Sequence, residues 1–195
     1  MIVEMTAADH STAFLQSLHA HGRGLIEMTA LGRRAKKAWF APGDYAGAVA
    51  WGHGANERGY SVCANVNPRH APRGRIEDTA CVTALPLDFD FGKVDPRGVL
   101  RLFDRCSLAP SLRVRSGHGL PAYFLLREPA AVEQARPVAA RLCRFAGSDR
   151  IHNANRIMRL PGTVNPKAPP AWCLLDVVSE RRYDLGEVDA WLDAQ

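Results

Sequence analysis

The stretch VTALPLDFDF, residues 82–91, constrains this chain more than any other. Its apolar run has the composition of a buried strand, yet Asp88 and Asp90 stand two apart inside it. Side chains alternate faces along a strand, so both aspartates point one way while Leu87, Phe89 and Phe91 point the other way and pack a core. Two carboxylates whose Cβ atoms lie roughly 6 to 7 Å apart repel unless a cation sits between them. Hard oxygen donors on one face suit Mg2+ or Mn2+, with a substrate phosphate completing the shell. The competing reading is a pair of solvated residues on an edge strand, because a lone DxD triplet is common.

The 195 residues fit one domain, or one unit of two lobes, with enough apolar residues to bury a core. No apolar run approaches the roughly 20 residues of a membrane helix. The start, MIVEMTAADH, carries acids early and lacks the basic and apolar regions of a signal peptide, so a cytoplasmic protein away from membranes is expected. Five cysteines, odd in number and never spaced CxxC, argue against a disulfide framework or a zinc ribbon and for reduced, buried thiols. The net charge of +5 is unevenly spread: from Arg113 to Lys167 ten Arg and Lys face three acids, Glu128, Glu133 and Asp149. Such a block suits phosphates of a nucleotide or nucleic acid, and equally a solvated arginine-rich helix face.

Periodicity predicts helices over 7–21, 45–59, 95–106, 130–147 (containing Pro137) and 185–194. Strands are predicted at 24–31, 34–40, 60–67, 82–91, 112–116, 120–127 and 171–178. Residues 67–78, NPRHAPRGRIED, read as a mobile basic loop. Strands and helices mix without a strict βα alternation, which points to an α+β fold with mixed sheets.

Two further stretches carry chemistry. SGHGLPAY, residues 116–123, sets glycines around a histidine between two strands; Ser116 and His118 are placed to donate to phosphate oxygens, unless the segment is a plain glycine-rich hairpin. NRIMRLPGTVNPK, residues 155–167, spaces Arg156 and Arg159 three apart, which a helix or turn would align, and its Pro-Gly turn brings Asn165 and Lys167 to the same region. Guanidinium forks pair with phosphate bidentately and a lysine adds a mobile point charge. Asp149 just upstream, an isolated acid among arginines, reads by itself as an ion-pair partner.

Together these stretches resemble the archaeo-eukaryotic primase (AEP) superfamily, most closely the prim-pol and RepB-type primases of plasmids, phages and other mobile elements. LDFD is similar to its strand-borne acidic pair, SGHGLPAYF to its Ser-Gly, Gly-Leu turn and aromatic strand, and SDRIHNANRIMRLPGTVNPK to its metal-binding Asp followed by RLPGT-x-N-x-K. YSVCANVNPR looks like the strand and N-x-N-P-R loop before the first motif.

The resemblance implies a bilobed α+β catalytic core in one domain. An N-terminal α/β lobe of about residues 1–80 would pack on an RNA-recognition-like lobe of about residues 81–195, with the site between them. It implies Asp88, Asp90 and Asp149 as a catalytic triad holding Mg2+ or Mn2+, which moves Asp149 from ion-pair partner to ligand. Ser116, His118, Arg156, Arg159 and Lys167 would hold the triphosphate. Asn65, Asn67 and Arg69, with Asn165, would line the nucleic-acid or substrate side.

The activity implied is that of a nucleotidyltransferase: a DNA primase or polymerase copying single-stranded DNA from NTPs or dNTPs, a monomer working beside a separate helicase or replication initiator. Pro121 departs from the pattern, which places His or Gln there; proline has no N–H and no side-chain donor. Two other functions stay open, a non-catalytic nucleic-acid-binding replication module and a DxD nucleotide-sugar transferase.

Overall fold

In the computed structural model, which describes residues 5–195, every strand but the short ones of the third motif forms where an alternating or apolar run stands. The first four residues, part of the N-terminal stretch read above for a leader, lie outside the described residues. In chain order the elements are α1 (Ala7–His19), β1 (Ile26–Leu31), β2 (Lys36–Phe40), α2 (Tyr45–Glu57), β3 (Ser61–Asn65), β4 (Val82–Leu87) and α3 (Pro96–Arg105). There follow β5 (Leu112–Arg115), β6 (Ala122–Ala130), α4 (Val132–Ala146), β7 (Ile157–Arg159), β8 (Thr163–Asn165), β9 (Ala171–Val178) and α5 (Leu185–Asp193). Helix α1 begins at a capping box in which Thr6 and Asp9 satisfy each other's backbone N–H groups. Pro137 neither starts nor ends α4, which runs past it to Gly147, whose φ of 64° is the left-handed stop that glycine adopts without a Cβ clash.

The strands form two antiparallel sheets, ordered β2-β1-β3-β7 and β4-β6-β5-β9-β8. Strand β7, from the second half of the sequence, joins the sheet of the first half, so a division at residue 80 does not describe the strands fully. The stretch from Arg156 to Arg159, which a helix or turn would align, instead gives β7 to one sheet; the expected Pro161–Gly162 turn follows and leads into β8 of the other sheet. That turn is held by α1: Ser11 Oγ donates to Pro161 O at 2.6 Å. Gly162, at φ 85°, lies so close to Ala7 O that a Cβ would have no room. Asn56 of α2 clamps β8, its amide donating to Val164 O at 2.8 Å while its oxygen accepts from Val164 N at 2.8 Å.

The core is continuous across both sheets. Every residue of β4 is buried, Phe14 of α1 meets Tyr123 of β6 edge to face at 5.4 Å, and Phe103 of α3 meets Phe89 at 5.7 Å. All five cysteines are free; Cys63, Cys143 and Cys173 are buried, Cys81 and Cys106 half-buried. No described helix is long and apolar enough to cross a membrane.

The segment expected as a mobile loop is pinned through Arg69, which is fully buried. Its Nε donates to Glu27 Oε2 at 2.9 Å, Nη1 to Thr79 Oγ1 at 3.0 Å and Nη2 to Asn155 O at 2.7 Å. Glu27, also buried, accepts from Lys37 Nζ at 2.5 Å. Truncating one partner of such a pair strands the other charge in the interior, so Arg69→Ala is expected to destabilise the protein by about 3–5 kcal/mol. Denaturant midpoints of the two proteins check this; a loss within about 1 kcal/mol, the value of an exposed pair, would rule out the network as a structural anchor.

Candidate active site

Both aspartates of the first motif lie just past the end of β4, where the backbone stays extended: Phe89 between them is buried, while Asp88 and Asp90 are half-buried. The second motif fixes this extension. Leu120 N donates to Phe89 O at 2.9 Å and Phe91 N to His118 O at 3.0 Å, which pairs Asp90 with Gly119. Any Cβ at Gly119 would strike Phe89 O, so only glycine lets the turn approach the acids this closely. Asp149 arrives from the other side. After Gly147 ends α4, Asp149 N donates to Asp88 O at 2.9 Å, and the first and third motifs meet through the backbone.

The electrostatics follow from this placement. Burial, and next the charge of Asp149, push the Asp88 carboxyl above its ordinary 3.8; Arg156 opposes them, and Asp90 adds to the rise. Asp90 moves down, chiefly because its Oδ1 accepts from Gly92 N at 2.9 Å, with Lys167, Lys93 and His118 acting in the same direction. Lys93, which lies outside all three motifs, donates to both oxygens of Asp149, at 2.8 and 2.9 Å, and its own pKa rises as a result. The signal for it was present in the sequence as the one base in DFDFGK, three residues after Asp90.

The predicted phosphate-binding residues divide. Lys167 is exposed and bears on Asp90, and Arg156 bears on Asp88 with its Nε buried and without a partner among the described residues. His118 Nε2 donates to Lys167 O at 3.2 Å and Pro169 O at 3.1 Å, tying the second motif to the third. Ser116 Oγ donates to Gly119 O at 3.2 Å, closing its own turn. Arg159 is not aligned with Arg156, because the segment is extended; it pairs with Cys63 across β3 and β7 and its guanidinium donates to Ser61 Oγ. Pro121 is buried, its carbonyl accepting from Val114 N at 2.8 Å.

The residues expected on the nucleic-acid side need correction. Asn65, Asn67 and Arg69 are buried and spend their side chains on the protein itself. Asn65 donates to Leu25 O and Asn67 O and accepts from Glu27 N; Asn67 accepts from Thr83 N and Ala84 N and donates to Ala154 O. Buried amides of this kind satisfy backbone groups that the sheets leave unpaired. Asn165 is likewise buried, donating to Ser116 O at 3.0 Å and accepting from Lys167 N at 3.1 Å, so it positions the turn and the lysine.

The oxygen donors suit a hard divalent cation: the Asp88, Asp149 and Asp90 carboxylates act on one another, and a cation would relieve their repulsion, while Arg156 beside Asp88 suits an anionic phosphate instead. The arrangement is open, however. Among the described residues no three His, Cys, Asp or Glu side chains form a ready metal-binding group. Asp90 is turned to Gly92 and Asp149 is held by Lys93.

This fold is that of the primase-polymerase AEP domains. The chain superposes on the AEP domain of the cyanophage S-2L primase-polymerase with a TM-score of 0.76 at 21% identity, covering 94% of this chain and 97% of that one. The catalytic domain of primase RepB′, solved with initiator DNA, gives 0.66 at 16% identity over 95% and 93%. The polymerase domain of Mycobacterium tuberculosis Ligase D, solved with DNA, gives 0.52 at 16% over 97% and 89%. Neither a protein-family model nor a curated protein matches the sequence.

Because the folded pKa of Asp88 lies above its unfolded value, its stabilising share is complete below about pH 3.8 and is lost as pH rises through the folded pKa. Asp88→Asn should therefore raise Tm at pH 7, by about 2–4 °C per kcal/mol recovered, and the advantage should vanish toward pH 3. Thermal melts across that range check the sign; an unchanged or lower Tm at pH 7 would mean that Asp88 is not electrostatically strained.

Proposed function

We propose that this protein is a DNA primase or polymerase that copies single-stranded DNA by nucleotidyl transfer from NTPs or dNTPs. The observation that carries the reading is the meeting of three separate motifs at one place. Asp88 and Asp90, just past β4, lie in the segment that pairs with the SGHG turn, Asp149 N donates to Asp88 O, and Lys93, Lys167, Arg156 and His118 act on these acids. A generic DxD site would need only the first of these. The neighbours solved with DNA support the choice of substrate class.

Asp88, Asp90 and Asp149 would hold Mg2+ or Mn2+, which when bound lowers the pKa of the attacking hydroxyl and stabilises charge on the phosphoryl group and the leaving pyrophosphate. The other work falls to the chain. Lys167 and Lys93 carry ammonium groups beside the acids, and the Arg156 guanidinium acts on Asp88, where it would offset the charge of a bound phosphate. Gly119 lets the turn come close, and Asn165 fixes Lys167 relative to that turn. With Pro121 unable to donate, His118 is the second motif's one imidazole at the site.

Purified protein with Mn2+ or Mg2+, a bare single-stranded template and labelled nucleotides should incorporate label, and parallel reactions with NTPs and dNTPs assign the product. Asp88→Ala combined with Asp90→Ala should reduce incorporation to background. A folded wild-type protein that incorporates nothing with either metal would sink the reading.

A further inference from the structure

Among the described residues Lys93 is the one cation in an ion pair with an acid of the proposed triad, and that pair differs from the buried one of Arg69 and Glu27. The backbone N of Lys93 donates to Asp90 O at 2.8 Å, so the turn that carries the lysine is fixed to the first motif. Its side chain reaches across to the third motif and occupies both oxygens of Asp149. The side chains are 60% and 36% exposed, whereas Arg69 and Glu27 are 0% and 1% exposed. A buried pair cannot be opened without stranding a charge, but an exposed one exchanges readily with solvent and ions. The charges that face Lys93 are Asp149, Asp90 and Asp88, and the other bases at the site are Arg156, Lys167 and His118.

Resting on the polymerase reading, we infer that Lys93 is a tethered counter-ion that competes with the divalent cation for Asp149 and gives it up when a triphosphate arrives. Without nucleotide the ammonium offsets the mutual repulsion of the carboxylates and weakens metal binding. The polyphosphate of an incoming nucleotide offers Lys93 a denser negative charge next to the acids. Transfer of the ammonium to the phosphate frees both oxygens of Asp149 for the metal. Lys93 is thus a positioning residue that couples metal entry to nucleotide entry, and the charge of the site stays compensated in both states.

The test is Mn2+ titration, read by loss of the free-ion paramagnetic resonance signal, on wild type, Lys93→Met, Lys93→Arg and Asp149→Asn, with circular dichroism to check folding. Without nucleotide, Lys93→Met should bind Mn2+ about 2- to 5-fold more tightly than wild type, the range set by an exposed ion pair, and Lys93→Arg should restore wild-type affinity. With a non-hydrolysable dNTP, the gain in Mn2+ affinity should be larger for wild type than for Lys93→Met. Equal or weaker Mn2+ binding by Lys93→Met, with binding still lost in Asp149→Asn, overturns the role of Lys93 and leaves the polymerase reading standing. Mn2+ binding that is absent from wild type, or unchanged in Asp149→Asn, overturns both.

Discussion

Carboxylates at the end of a buried strand cannot be left without cations, and much of this structure is arranged around that constraint. Phe89 must pack against Phe103 for β4 to be covered, and the alternation of an extended chain then turns Asp88 and Asp90 to the opposite face. Burial and Asp149 raise the cost of charging Asp88. The protein answers with Lys93, Arg156, Lys167 and His118, drawn from separate parts of the sequence. A site that stores like charge in this way is poorly suited to stability and well suited to recruiting a cation.

Convergence depends on the seam between the sheets. The segment from Ile157 to Asn165 gives β7 to one sheet and β8 to the other, and Ser11, Asn56 and Gly162 lock it against α1 and α2. A second set of locks, Asn65, Asn67 and Arg69, ties β3 to β1, to the start of β4 and to the segment before β7. Neither set touches the acids, yet both fix where Arg156 and Lys167 stand relative to them. In this architecture the polar residues that look most functional in the sequence are often the ones holding its frame.

Much of the fold was legible because long segments carry their period. The helices α1, α3, α4 and α5 and the strands β1, β4, β6 and β9 follow from the spacing of apolar residues. The short strands β7 and β8 were not legible, since three residues show no period and their pairing comes from partners elsewhere in the chain. Asn65, Asn67 and Arg69 were misplaced for a related reason: polarity marks a need for hydrogen bonds but does not say whether water, ligand or buried backbone meets it. Lys93 was visible as a residue and not as a neighbour of Asp149, because 56 positions separate them.

What the sequence determined by itself is the local chemistry: an acidic pair on an apolar run, a glycine turn that tolerates close approach, and a basic segment rich in phosphate-pairing side chains. These are properties of residue type and of spacing within a few positions. Tertiary structure alone decided which of them share a surface. It drew Asp149 to Asp88 through a backbone hydrogen bond, separated Arg159 from Arg156, buried Asn65, Asn67 and Arg69, and set Lys93 on Asp149. The physical reason is that charge and hydrogen-bond energies act through space over a few ångströms, and only the packing of the two sheets fixes which distant residues come that close.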